Sequence, residues 1–185
     1  MKQEIRVLGI DDSPFTRTQR NVLVVGAVFR GNRELDGLIS GHIQRDGRNA
    51  TRILARMIKE SKFIHRLRAI FLDGIAVGGF NVINIQELHD AVKIPIIVIM
   101  RHRPDLEQIF HVLTKLGQLQ KIIDIRNAGQ ISSHKKIYFQ RCGISEEEAR
   151  EIIDLSTAKA NIPEALRIAH IIASGIVKGE SYGRA

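Results

Sequence analysis

The run Pro95-Ile96-Ile97-Val98-Ile99-Met100 offers water no polar position to wet. It is shorter than an ordinary helix and rich in β-branched side chains, so it reads as a strand buried on both faces. Such a strand needs a layer on each side, and helices usually provide it. The run therefore predicts an α/β chain built round a central sheet with parallel pairing in its middle. A length of 185 residues can bury one such core and favours one domain over residues 1–185.

The N-terminal part supplies further strands. Residues 4–11 hold Val7-Leu8-Gly9-Ile10, an apolar run that ends in Asp11-Asp12 and is stopped by Ser13-Pro14. Residues 21–30 are Val-rich and predict a second strand. Gly31-Asn32 signals a hairpin turn. Residues 34–44 alternate Leu35, Leu38, Ile39 and Ile43 with polar and glycine positions, a third strand with room for bulges. Short connections make these three an antiparallel meander. Over residues 49–62 the period changes, with Ile53, Leu54, Met57 and Ile58 at helical spacing. Residues 67–73 return to a buried strand ending at Asp73-Gly74. Asn84 caps a helix through Lys93, with Glu87 placed for a capping box. Residues 104–116 predict a helix with proline at its start. Residues 119–126 fit a helix or a strand, and residues 135–141 a strand. Ser145 caps an acidic-fronted helix over 146–157. Residues 163–177 form a last helix that is apolar nearly all round and should be well buried.

Composition narrows the function classes. Hydrophobic residues make up 44% and charged residues 26%, ordinary globular usage rather than that of a disordered or membrane chain. No apolar stretch approaches the roughly 20 residues that span a bilayer. Residues 1–4 lack the apolar core of a signal peptide. The single Cys142 cannot form an internal disulfide, which suits a reducing compartment and, with scattered histidines, argues against structural zinc. The expectation is a soluble cytoplasmic protein without membrane contact. A net charge of +8 and a pI of about 10 point to polyanionic partners, nucleic acid above all.

Three acids stand where strands give way to loops: Asp11 ends the first, Asp46 follows the third in Arg45-Asp46-Gly47, and Asp73 ends the fourth. Asp-Ser-Pro and Asp-Gly are also ordinary turn chemistry. The element order, three strands, helix, strand, helix, strand and then helices, is that of the ribonuclease H-like fold. There the first strand lies at the sheet centre beside the fourth, and Asp11 and Asp73 would end adjacent strands on one side. Gathered carboxylates repel, so a fold that collects them usually needs a cation.

The last helix carries Pro163-Glu164-Ala165-Leu166-Arg167-Ile168-Ala169-His170. This segment, with Gly9-Ile10-Asp11 and Leu72-Asp73-Gly74, resembles endonuclease V. The whole chain, including Gly79-Phe80-Asn81 and the terminal Gly179-Glu180-Ser181-Tyr182-Gly183-Arg184-Ala185, resembles an archaeal family of endonuclease V-like proteins. The resemblance implies a ribonuclease H-like α/β fold, with a mixed sheet of five or slightly more strands, the first three antiparallel, and helices on both faces. It also implies a Mg²⁺ or Mn²⁺ site and cleavage of DNA or RNA phosphodiesters, with a place in nucleic-acid repair. By motif position Asp11 and Asp73 match metal ligands and His170 matches the residue of the closing helix beside the metal. Asp46 is assigned to the acid between the third strand and the first helix, and Asp12 is a secondary candidate. Glu164 and Arg167 are given capping and packing roles, and His170 could equally be an inward-facing histidine bonded to a backbone carbonyl.

The chain also departs from endonuclease V. Its Tyr-Ile-Pro-Gly type wedge has no counterpart, since the matching region reads Ser40-Gly41-His42-Ile43-Gln44. The segment after Asp-Gly reads Gly78-Gly79-Phe80-Asn81 in place of His-Pro-Arg. The base recognised is thus open, and a non-catalytic nucleic-acid-binding module on the same scaffold is the competing reading. Arg101, His102 and Arg103 could face a phosphate at the strand ends but read better as a solvated basic loop, residues 132–136 are a basic loop that could touch a nucleic-acid backbone or nothing, residues 178–184 are a tail that could meet a phosphate, and Cys142 reads as structural.

Overall fold

Strand β1 (Arg6–Asp12) is apolar on both faces from Val7 to Ile10, before its terminal carboxylates, and it lies in the interior of the sheet. The computed structural model describes residues 5–181, so residues 1–4, with the expected start of the first strand at Glu4, and residues 182–185 lie outside the described residues. Strands β2 (Asn21–Arg30) and β3 (Glu34–Gln44) continue the antiparallel meander, with a bulge near Val28 and Phe29. Helix α1 (Ala50–Lys59) follows, then β4 (Leu67–Asp73), which pairs parallel with β1. A two-rung hairpin, β5 (Ala76–Val77) and β6 (Asn81–Val82), precedes α2 (Ile85–Val92). Strand β7 (Ile96–Met100) is parallel to β4. Helices α3 (Leu106–Lys115) and α4 (Leu119–Asn127) lead to β8 (Ser132–His134) and β9 (Ile137–Cys142). Helices α5 (Glu146–Ser156) and α6 (Glu164–Lys178) complete the described elements. The sheet is mixed and seven-stranded, in the order β3-β2-β1-β4-β7-β9-β8.

The two-residue period of the strands sorts their side chains into two cores. Leu8, Ile10, Ile70, Leu72, Ile96 and Val98 pack with α1 and α2. Val7, Ala69, Phe71, Ile97, Ile99 and Phe139 pack with α5 and α6. A smaller cluster of Leu113, Ile122 and Ile125 joins α3 and α4 to Val82 of the hairpin. Helix α6 lies directly against β1. A Cβ on Gly9 would stand 2.3 Å from the backbone carbon of Ala165 and 2.4 Å from the nitrogen of Leu166. The missing side chain at Gly9 is what lets the helix backbone come this close.

Several local expectations need correction. Asn84 accepts from the Glu87 amide, but its own amide donates to Thr51 Oγ1, so that cap is bonded across the fold rather than closed as a box. Ser145 and Glu148 do form the reciprocal box. Asp105 caps α3, with Pro104 before the cap rather than within the helix. Residues 119–126 are helical. The basic segment at 132–136 is in part a strand, β8, because it completes the edge pairing of β9. Helix α6 is not buried all round: Ile176 is 66% exposed.

Candidate metal centre

Asp11 ends a strand whose odd-numbered residues face α6. There its Oδ2 lies 2.8 Å from His170 Nδ1, and its Oδ1 accepts from the Asp12 amide at 2.8 Å. Asp73 closes β4, the parallel neighbour of β1, so both strands deliver a carboxylate to one edge. Asp11, Asp73 and His170 each offer a ligand atom, and these atoms lie within 4.8 Å of one another. Among the described residues this is the one such group of acids, histidines and cysteines. Asp11 is 5% exposed. Arg101, just beyond β7, places Nη1 3.0 Å from both oxygens of Asp73, while its Nη2 is buried with no hydrogen-bond partner among the described residues.

The acids are held against their charge. Burial, then the neighbouring Asp11 carboxylate, pushes Asp73 above the usual carboxylate range, with Arg101 opposing the shift. Asp12 is pushed up to about 6 by burial and then by Asp11, although its Oδ2 accepts from the Gly78 amide at 3.0 Å. A raised carboxylate stabilises the fold fully below its unfolded value near 3.8, and that contribution is lost as pH rises through about 6. Asp12→Asn keeps an acceptor for Gly78 and removes the charge. In chelator it should therefore melt a few degrees higher than the wild type at pH 7.5 and level with it at pH 4. Equal melting temperatures at pH 7.5 would contradict this account of Asp12.

Two carboxylates and an imidazole converging on one point suit a divalent cation. Hard oxygen donors match Mg²⁺ or Mn²⁺, and the imidazole is accepted more readily by Mn²⁺. The like-charge strain on Asp73 is of the kind a cation relieves.

Asp46 stands apart, which corrects its assignment to this centre. It sits at φ +54 in the turn after β3, half exposed, with its Oδ2 3.2 Å from Arg45 Nε. Its Oδ1 accepts from the Phe80 amide at 2.9 Å, and its amide donates to the Gly78 carbonyl at 2.8 Å. Its carbonyl accepts from Lys121 Nζ at 2.9 Å. Asp46 thus fastens the β5–β6 hairpin and lies outside the group formed by Asp11, Asp73 and His170. Asp46→Ala removes the Phe80 bond and leaves alanine in a left-handed turn, which together cost roughly 1–3 kcal/mol. The melting temperature should fall, while calorimetric Mn²⁺ affinity stays within about twofold of wild type. A large loss of Mn²⁺ affinity would return Asp46 to the centre.

Arg101, expected in a solvated loop, instead pairs with Asp73, and the β5–β6 hairpin was not expected from the sequence. The signal for Arg101 was present: β4 and β7 are parallel with Asp73 opposite Ile99, so the residue two beyond Ile99 emerges beside Asp73. Buried Asn81 anchors the hairpin by donating to Gln44 O and Asn49 Oδ1, both at 2.8 Å, and accepting from the Ala50 amide at 3.0 Å. Glu164 pairs with Arg167 at 2.7 Å, and Cys142 is buried with its Sγ 3.0 Å from Gln86 Oε1. No described helix is long and apolar enough to cross a membrane.

The fold is shared with proteins of known structure. A crystal structure from Archaeoglobus fulgidus aligns with a TM-score of 0.90 at 37% identity, covering 95% of this chain and all of that one. Ciona intestinalis endonuclease V, solved with a 24mer DNA containing an inosine, aligns at 0.63 and 13% identity over 95% of this chain and 87% of its own. Marinitoga piezophila Argonaute, in complex with guide RNA and target DNA, aligns at 0.57 and 14% identity over the whole chain and 32% of its own. In sequence, a UPF0215 protein of Methanothermobacter thermautotrophicus is 44% identical over 191 aligned positions, covering the whole of this chain and 94% of that protein. One from Methanosarcina barkeri is 46% identical, covering the whole chain and 97% of its own. Residues 3–177 match the family model described as Endonuclease dU, and with these archaeal UPF0215 relatives that places the chain in the Endonuclease dU family.

Proposed function

We propose that the protein is a divalent-metal-dependent endonuclease acting on nucleic-acid phosphodiesters, on a ribonuclease H-like scaffold. The observation that carries this reading is the convergence of Asp11, Asp73 and His170 at one sheet edge. Asp11 and Asp73 would hold Mg²⁺ or Mn²⁺. When bound, the ion supplies Lewis-acid stabilisation of phosphodiester oxygens and makes nearby water more acidic. Arg101 orients the Asp73 carboxylate, and its unpartnered Nη2 is a donor suited to an anionic oxygen. His170, fixed by Asp11, positions water or a phosphate oxygen. The net charge of +8 supports a polyanionic substrate. The family description makes deoxyuridine-containing DNA the first substrate to try.

The test uses end-labelled single- and double-stranded DNA and RNA, plain or carrying deoxyuridine or deoxyinosine, with Mg²⁺, Mn²⁺ or chelator. A cleaved strand that appears with metal and vanishes with chelator is the expected result. Absence of product on every substrate in both metals would overturn the nuclease reading. One observation favours the non-catalytic alternative: Arg101 already pairs with Asp73 and offsets part of its charge without a cation. That reading predicts salt-sensitive binding and no metal-dependent product.

A further inference from the structure

The chain has seven phenylalanines. Phe29, Phe71 and Phe139 are fully packed, and Phe63 and Phe110 pack against the cores. The other two, Phe15 and Phe80, are exposed, at 37% and 38%. They come from segments 65 residues apart, and the two segments are joined where the Gly78 amide, two residues before Phe80, donates to Asp12, three residues before Phe15. A Cβ on Gly79 would lie 3.6 Å from Phe15 Cζ, so the Phe15 ring rests beside the residue preceding Phe80. Two partly exposed aromatic residues on adjoining segments offer apolar surface to an occupant.

Their mounting is rigid. Gly78 and Gly79 have positive φ, +56 and +84, and a glycine pair of this kind would be mobile if left alone. Here Asp12 accepts from the Gly78 amide, Asp46 accepts from the Phe80 amide, and Asp46 donates to the Gly78 carbonyl. Asp12 is the neighbour of Asp11, so the hairpin is pinned one residue from the candidate metal centre. On the other side, Phe15 follows Pro14 and lines a cleft of about 520 Å³ with Thr16, Gln19, Val177 and Lys178. Arg17 and Arg20 are exposed in the same segment, and Arg45 Nη1 donates to the Thr16 carbonyl at 3.2 Å. The surroundings combine apolar rings, hydrogen-bonding side chains and positive charge. Flat rings beside cationic groups match an unpaired nucleobase on its phosphate backbone.

We infer that Phe15 and Phe80 form a stacking shelf for an unpaired nucleobase adjoining the phosphate presented to Asp11 and Asp73. The inference rests on the nucleic-acid reading above and adds a subsite to it. The shelf grips π-faces, so it tolerates any base and fixes where the strand lies. Asp12 and Asp46 act as positioning residues for the shelf.

The experiment uses a single-stranded DNA oligonucleotide carrying one 2-aminopurine, titrated with the full chain in Ca²⁺ and, separately, in chelator. Wild type should quench the probe by stacking. Phe15→Ala with Phe80→Ala should lose the quenching and bind roughly tenfold or more weakly. Phe15→Tyr and Phe80→Tyr should keep both, and circular dichroism should show every variant folded, since the rings are exposed. Quenching and affinity unchanged in the double alanine variant would overturn the shelf while leaving the nuclease reading intact. Stacking by a wild type that cleaves nothing would overturn the nuclease reading and support the shelf. A wild type that fails to bind the oligonucleotide would overturn both.

Discussion

Asp73→Asn is expected to lower metal-dependent cleavage on the order of 1000-fold, and Asp11→Asn to do the same. Each substitution keeps a carbonyl oxygen for the existing partner, Arg101 at Asp73 or His170 at Asp11, and removes one of the two negative charges that would face the proposed ion. Losing that charge would weaken the hold on a cation far more than it would disturb packing. It also relieves the repulsion that raises the Asp73 pKa, so in chelator Asp73→Asn should melt no lower than wild type. The measurement is initial cleavage rate across a Mn²⁺ titration, paired with thermal unfolding in chelator. Cleavage within tenfold of wild type at saturating Mn²⁺, in either variant, would remove these acids from the reaction.

Gly9→Ala should destabilise the chain by roughly 2–3 kcal/mol, or about 4–12 °C in melting temperature. The added methyl would stand 2.3 Å from Ala165 carbon, 2.4 Å from Leu166 nitrogen and 2.7 Å from Ala165 oxygen. These are backbone atoms of the first turn of α6 and cannot rotate away as a side chain can. Either β1 or α6 must move, and α6 carries His170. Activity should therefore fall further than stability alone accounts for, even below the melting transition. Gly37→Ala offers a contrast, because there the clash is with the Phe63 ring at 2.4 Å and a side chain can swing aside. A Gly9→Ala protein that melts and cleaves like wild type would show that helix and strand are not seated as described.

The central strands were legible because their signals are local and strong. Ile96-Ile97-Val98-Ile99 has no polar position, and Gly31-Asn32 sets the β2–β3 turn with Gly31 at φ +57. Asp11 and Asp73 stood out because each ends an apolar run. What escaped depends on partners far along the chain. Nothing near Asp46 shows that its carboxylate meets the Phe80 amide, 34 residues on, or that its carbonyl takes a lysine 75 residues on. Arg101 sits in a polar stretch that looks solvated until β4 and β7 are set side by side. Ser132–His134 is too short and polar to announce a strand, and pairing with β9 makes it one. Tertiary placement overrode local pattern in each case.

Asp11 and Asp12 share one peptide plane but look through opposite walls of the sheet, one toward the imidazole of the closing helix and the other toward the glycine hairpin. A charge accepted on one side is therefore felt on the other across the thickness of a single strand. Loading the centre with a cation would ease Asp12 into its ionised form and tighten its grip on the Gly78 amide. Occupancy of one compartment would then bear on the stiffness of the opposite one through the shortest conduit a polypeptide can offer.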